Sequence, residues 1–126
     1  MSLLIKNGRV IDPESGLEKD LDILVENGII KRIARNIQIK VDEGNTIDAS
    51  NCIVLPGLID MHSHFREPGR EDIETIIGGS EVAAKSGFTT VCTMPNTNPV
   101  IDNLALVRFI ILEAERGPIN VHPIAN

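Results

Sequence analysis

The sequence has few aromatic residues and no excess of positive charge. Its 126 residues include three Phe and neither Tyr nor Trp, so aromatic side chains make up 2% of the chain. Proteins that bind single-stranded nucleic acid or cationic ligands by stacking need several exposed rings, which this sequence does not supply. The formal net charge of −6 gives no basic field that would attract nucleic acid or an anionic membrane surface. We therefore expect neither a nucleic acid nor a membrane as a partner.

Cysteines and long apolar segments are also scarce. The two cysteines, Cys52 and Cys92, do not form a CxxC motif, and we expect both to be reduced, buried thiols of a cytoplasmic protein. No apolar run approaches the ~20 residues that a membrane-spanning helix requires. The apolar run at the N-terminus ends within a few residues, which is not typical of a secretory signal.

The first 55 residues have the pattern of a small β domain. Two Asn-Gly pairs, Asn7-Gly8 and Asn27-Gly28, each lie between apolar segments. This pair is typical of a type I′ hairpin turn, because both central residues of that turn adopt positive φ. We therefore predict two hairpins in a mainly antiparallel unit. Further short strands are predicted at 46–48 and 52–55, and further turns at 12–16 and 42–45.

After Pro56-Gly57 the pattern changes to an alternation of strands and helices. The sequence predicts strands at 58–62, 88–93 and 119–122, a helix over 71–86, and a second helix from Asp102 or Asn103 to 115 or 116. Glu71 and Asp72 are placed where acidic side chains favour a helix N-terminus. Such an α/β alternation predicts parallel strands with right-handed crossovers, whose functional residues collect at the carboxyl ends of the strands.

Two histidines, His62 and His64, lie at the end of the first predicted parallel strand. Side chains at positions i and i+2 of a strand point to the same side, so we expect the two imidazoles to lie together. Neutral imidazoles are good ligands for Zn²⁺, Fe²⁺ or Mn²⁺. From the spacing alone, a metal site and two solvated histidines both remain open.

The wider motif resembles that of a known family. The stretch 55–64, LPGLIDMHSH, resembles the signature of the amidohydrolase superfamily, and the stretches 65–69, FREPG, and 94–99, MPNTNP, are similar to dihydroorotases of the multifunctional and bacterial type I class. The resemblance implies an α/β fold in which strands of a small β-sandwich domain, residues 1–55, precede a (β/α)₈ TIM-like metallohydrolase barrel that begins in residues 56–126. Because such a barrel takes ~250 residues, we expect the sequence to stop after about the third barrel strand.

The resemblance also implies the ligands of a zinc site. His62 and His64 would bind the more buried of one or two zinc ions, and Asp60 would be a structural acid beside them. His122 matches no ligand position of the family, and we expect it to have a packing or hydrogen-bonding role. The catalytic Asp and the remaining metal ligands of the family are expected downstream of these residues, so we predict no catalytic residue in the 126-residue chain and no turnover by it alone.

Two further residues would bind the substrate. By resemblance, Arg66 would pair with the substrate carboxylate, for which a guanidinium offers a planar bidentate fork, and Asn96 would bind the same region. The alternative for Arg66 is a surface ion pair with Glu67 or Glu71, and the alternative for Asn96 is a simple turn role. We assign no catalytic role to Glu67.

The implied activity is the zinc-dependent interconversion of N-carbamoyl-L-aspartate and L-dihydroorotate in de novo pyrimidine biosynthesis. Two alternatives stay open. One is a non-catalytic dihydroorotase-like partner of aspartate transcarbamoylase, and the other is a different cyclic amidase, either an allantoinase or a dihydropyrimidinase. Exposed strand edges invite pairing, so we also expect a homo-oligomer. The resemblance adds aspartate transcarbamoylase as a further expected partner.

Overall fold

A computed structural model describes residues 2–42 and 44–126. Its chain forms two compact units, Met1–Pro56 and Gly57–Asn126. Residue 43, which belongs to the turn predicted at 42–45, lies outside the described residues. Within the described part of the chain, neither helix has the length and hydropathy that crossing a membrane would require.

The first unit contains one mixed β-sheet of five strands among its described residues. Its strands are β1 (Ser2–Asp12), β2 (Leu17–Glu26), β3 (Ile29–Ala34), β4 (Thr46–Asp48) and β5 (Ile53–Val54). The first three strands pair antiparallel in the order β3-β2-β1, whereas β4 and β5 both pair parallel with β1. The expectation of a mainly antiparallel unit is therefore right for β1–β3 and wrong for the two short strands. A cluster of Leu4, Leu24 and Ile37 forms its core.

The two Asn-Gly pairs have different structures. Asn27-Gly28 forms the predicted hairpin turn between β2 and β3, with φ of 51° and 76°. The hairpin predicted at Asn7-Gly8 is wrong, because β1 continues through it and the pair forms a bulge in the register with β2. Asn7 still adopts a positive φ of 62°, and a Cβ on Gly8 would overlap the side chain of Val54. The pair thus provides the positive φ and the missing side chain that the close packing of β1 requires at this point. The chain reverses at residues 13–16 instead.

The second unit has the predicted alternation of strands and helices. Its elements are β6 (Leu58–Ser63), α1 (Ile76–Lys85), β7 (Phe88–Thr93), α2 (Leu104–Ala114) and β8 (Asn120–Pro123). The three strands form a parallel sheet in the order β6-β7-β8. Apolar side chains from the strands, the helices and the connecting loops form one core cluster, which consists of Phe65, Ile76, Val91, Ile101, Ile110, Ala114 and Val121.

The helix starts differ in how well the sequence predicts them. Asn103 caps α2 as expected, with its side chain accepting from Leu106 N–H. The start predicted for α1 is wrong, because the helix begins at Ile76 behind the N-cap Thr75. Glu71 and Asp72 are instead engaged in the preceding loop, where Glu71 accepts from Gly69 N–H and Asp72 pairs with a neighbouring arginine. The Thr75 hydroxyl accepts from Gly78 N–H and so caps the helix, which fixes its start there.

Both cysteines are free thiols. Cys92 is half-buried, whereas Cys52 is exposed beside β5, so the expectation of two buried thiols is wrong for Cys52.

Candidate active site

The two histidines predicted to lie together are neighbours at the end of β6. His62 is the penultimate residue of the strand and His64 follows it directly. Their ring centroids are 5.1 Å apart in an edge-to-face arrangement, and both side chains are exposed. Ser63 between them is half-buried, and its carbonyl accepts from Met94 N–H at 2.8 Å. Strand alternation therefore presents both imidazoles on one side, while the backbone between them is bound to the segment after β7.

Asn96 contacts one of these histidines. The Asn96 side-chain oxygen lies 2.9 Å from His64 Nδ1. An amide oxygen only accepts, so the hydrogen lies on His64 Nδ1. A neutral His64 then has its lone pair on Nε2, the tautomer with which a histidine binds a metal while its other nitrogen is held. Sequence reasoning placed Asn96 near the substrate but did not predict this bond.

The guanidinium of Arg66 forms no hydrogen bond or ion pair with the part of the chain that the structure describes. The two carboxylates that the sequence offered as partners are bound to backbone instead. Glu67 Oε2 accepts from Ile76 N–H at 2.8 Å, and Glu71 Oε1 accepts from Gly69 N–H at 2.8 Å. The Gly69 bond also holds the pKa of Glu71 below its ordinary value. The exposed Arg66 side chain is therefore left without an internal counter-ion.

The loops after β6 and β7 are joined through their backbones. Asn98 N–H donates to the Pro68 carbonyl at 3.2 Å. Gly69 adopts a φ of +104°, and a Cβ at this position would overlap the Asn98 carbonyl oxygen. Any other residue at 69 would therefore separate the two loops. Sequence reasoning missed Gly69 and Asn98, although the Pro-Gly and Asn-Pro pairs in which they lie are signals of shaped loops.

The two histidines at the carboxyl end of β6 fit part of a zinc site. Two imidazoles are typical zinc ligands, but a catalytic zinc normally takes three protein ligands. The described residues contain no cluster of three or more His, Cys, Asp or Glu side chains that could hold a metal ion. Asp60, expected beside the ligands, accepts from His62 N–H at 3.0 Å and so orients the strand end. His62 and His64 can therefore supply two ligands of such a site.

His122 lies outside this group. It is exposed on β8 and lines an open groove of about 610 Å³ near the end of α2, which includes none of the four candidate residues. Within the described chain, its ring forms no hydrogen bond, and the packing role stays a prediction.

Comparison with known proteins gives one consistent family. The family model described as dihydro-orotase-like matches residues 51–126. A dihydroorotase of Geobacter metallireducens is 52% identical over 128 residues, which cover 100% of this chain and 30% of that protein. A dihydroorotase of Pelobacter propionicus is 50% identical over 125 residues, covering 98% of this chain and 29% of that protein. The chain thus spans about 30% of the length of the curated relatives it matches.

The fold of this chain also matches that of a solved structure. The L-hydantoinase (dihydropyrimidinase) of Arthrobacter aurescens matches with a TM-score of 0.83 and 27% sequence identity, over 98% of this chain and 27% of that one. The two folds are therefore alike over nearly the whole of this chain. On these matches, the chain belongs to the dihydro-orotase-like family.

Proposed function

We propose that this chain is part of a zinc-dependent dihydroorotase, which interconverts N-carbamoyl-L-aspartate and L-dihydroorotate in pyrimidine biosynthesis. The observation that carries the proposal is the unpaired Arg66 guanidinium, which lies two residues from a pair of adjacent imidazoles. The 52% identity to a dihydroorotase supports the same substrate class. We also propose that the protein is cytoplasmic and that it forms a (β/α)₈ barrel whose first three strands are β6, β7 and β8.

Arg66 would bind the carboxylate of the substrate. A guanidinium presents two parallel N–H groups that match the two oxygens of a carboxylate, and such charge-assisted bonds are stronger than neutral ones. Because Glu67 and Glu71 are occupied by backbone N–H groups, neither of these two acids must be displaced before the substrate binds. Fixing the carboxylate in this way orients the ring amide toward the histidines and lowers the entropy lost on reaching the reactive geometry.

His62 and His64 would hold zinc through their ring nitrogens. When bound there, zinc would polarise the amide carbonyl and lower the pKa of a bound water toward ~7. Asn96 would keep His64 in the tautomer that leaves Nε2 free. The described residues at this edge offer no third ligand. We therefore propose that turnover requires a further ligand and a carboxylate base beyond these residues.

The test is a chimaera in which residues 1–126 replace the matching 30% of the Geobacter metallireducens dihydroorotase. We expect the chimaera to hydrolyse dihydroorotate, to lose this activity after chelation and to recover it on addition of zinc. The unmodified Geobacter protein is the positive control, and circular dichroism checks that the chimaera is folded. A folded chimaera with no turnover, measured beside an active control, contradicts the proposal.

A hydantoinase or dihydropyrimidinase is the second candidate, because the L-hydantoinase structure matches nearly the whole chain. The substrates of such enzymes have no carboxylate at the corresponding position, so Arg66 would have no counter-ion to bind. Comparison of kcat/KM for dihydroorotate, dihydrouracil and allantoin in the same chimaera separates these functions.

A further inference from the structure

We propose that Glu67 is a positioning residue, whose carboxylate fixes the loop that carries His64 and Arg66 by binding the first N–H group of α1. The inference rests on the proposed function only for its effect on substrate binding. Neither the motif analysis nor the family match gives Glu67 a role. Its basis is a continuous set of bonds from α1, through the loop after β6, to the loop after β7.

The helix end of this connection is a shared cap. Thr75 Oγ1 accepts from Gly78 N–H at 3.0 Å, which leaves other N–H groups of the first turn without an intrahelical acceptor. Glu67 Oε2 takes one of them, Ile76 N–H, at 2.8 Å across nine residues of sequence. A carboxylate at this position also interacts favourably with the positive end of the helix dipole. Ile76 is fully buried in the core, so it gives the carboxylate a fixed attachment point.

At its other end, the connection runs from Glu67 to the loop after β7. Glu67 follows Arg66 directly, and the next residue, Pro68, accepts from Asn98 N–H at 3.2 Å. The close approach of Gly69 to the Asn98 carbonyl then fixes the spacing of the two loops. The loop after β7 carries Asn96, which binds His64. Glu67 therefore attaches this pair of loops to α1 by a polar contact, next to the apolar contact that the buried Phe65 makes with the same helix.

The bond between the Glu67 carboxylate and Ile76 N–H also affects the charge beside Arg66. A Glu67 carboxylate released from Ile76 N–H would lie next to an unpaired guanidinium, with which it could form an ion pair. Binding to the helix N-terminus prevents this competition, so Glu67 keeps Arg66 both in place and free. A glutamine retains an acceptor oxygen for Ile76 N–H, whereas an alanine removes it.

The first experiment measures steady-state kinetics in the chimaera described above. We expect Glu67→Ala to raise KM for dihydroorotate about tenfold with kcat nearly unchanged, as for loss of a binding interaction. Glu67→Gln is expected to restore KM to within about twofold of the unsubstituted value. The control is Glu81→Ala, which removes an exposed glutamate from the same helix. An unchanged KM in a folded Glu67→Ala chimaera overturns the proposal, as does a Glu67→Gln chimaera that is as impaired as Glu67→Ala.

The second experiment uses amide hydrogen exchange in the 126-residue chain, so it does not depend on the proposed function. Glu67→Ala should speed exchange of the Ile76 amide and also of the Asn98 amide, each about tenfold, while Glu67→Gln and Glu81→Ala should leave both protected. Faster exchange at Ile76 alone, or at neither amide, overturns the positioning role. An inactive chimaera with this exchange pattern would contradict the proposed function and leave Glu67 as the determinant of loop position. If Glu67→Ala does not fold, the same exchange rates are measured in Glu67→Asp, whose side chain is one methylene shorter.

Discussion

At the scale of single residues, Arg66 is the side chain that most directly distinguishes the proposed substrate. We predict that Arg66→Met lowers kcat/KM for dihydroorotate in the chimaera about 100-fold, mainly through KM, since a charged pair contributes roughly 2–3 kcal/mol. Arg66→Lys should recover only part of the loss, because an ammonium cannot bind a carboxylate as a planar fork. Steady-state kinetics with both variants measures the effect. Equal KM values for Arg66→Met and the unsubstituted chimaera would show that Arg66 does not bind substrate.

Thr93 is a residue whose substitution should stabilise the fold. Its side chain is 3% exposed, and its Oγ1 is a buried polar atom for which the described chain provides no hydrogen-bond partner. Valine has almost the same shape without the hydroxyl, so Thr93→Val should raise the free energy of unfolding by about 1 kcal/mol. Urea denaturation with a shared m-value measures the change. The control is Thr93→Ala, which leaves a cavity and should destabilise; a loss of stability in Thr93→Val would contradict the assignment.

At the scale of elements, one buried carboxylate connects β2 to the β1 bulge and to the segment after β3. Asp22 is 3% exposed, and its two oxygens accept from Asn7 N–H and Ile37 N–H, each at 2.9 Å. Asp22→Asn would point an amide NH₂ at one of these donors. We therefore predict a loss of about 2–3 kcal/mol in unfolding free energy.

Chemical denaturation measures this loss, and Asp20→Asn is the matched control because Asp20 is exposed on the same strand. The account of Asp22 is contradicted if the two variants have the same stability.

The bonded carboxylates also predict how the first unit responds to acid. Bonds from Ser50 Oγ, from Asn7 Nδ2 and from Ser50 N–H hold the pKa of Asp48 below its ordinary value of 3.8. A bond from Ser15 lowers the pKa of Asp12 in the same way. Because folding lowers these pKa values, their stabilising effect is complete above the ordinary value and is lost as the pH falls through the lower folded values.

We therefore expect the free energy of unfolding to fall as the pH is lowered below about 4. Urea titrations at several pH values measure this slope, and Asp48→Asn should reduce it. A slope that is unchanged in Asp48→Asn would exclude Asp48 as a contributor.

The elements also show which parts of the fold can be predicted from a sequence. The strands of the parallel sheet and the Asn103 cap follow from local patterns, because apolar periodicity and a capping side chain act within a few residues. The start of α1 does not, since the N-cap Thr75 and Glu67 together determine it, and Glu67 lies nine residues before Ile76. The Asn7-Gly8 bulge was missed for a similar reason: a hairpin and a bulge need the same positive φ, and only pairing with β2 distinguishes them.

At the scale of the whole molecule, the candidate site is built from consecutive strand ends of one parallel sheet. Strand alternation in the sequence predicts that His62 and His64 lie together, whereas Arg66 and Asn96 are found through the resemblance of their motifs to those of dihydroorotases. The bonds that hold them could not be found in this way. The contacts of Asn96 with His64, of Glu67 with Ile76, and of Gly69 with Asn98 join residues 9 to 32 positions apart, and only the tertiary fold brings such residues together.

The proposed function requires that this site, once its remaining ligands and base are present, supports hydrolysis of a cyclic amide that carries a carboxylate. The most direct measurement compares kcat/KM for dihydroorotate and dihydrouracil in the zinc-loaded chimaera, with and without Arg66→Met. We predict that dihydroorotate is strongly preferred and that the substitution removes most of this preference. A folded, zinc-loaded chimaera that hydrolyses dihydrouracil better than dihydroorotate, or whose preference does not depend on Arg66, would contradict the account.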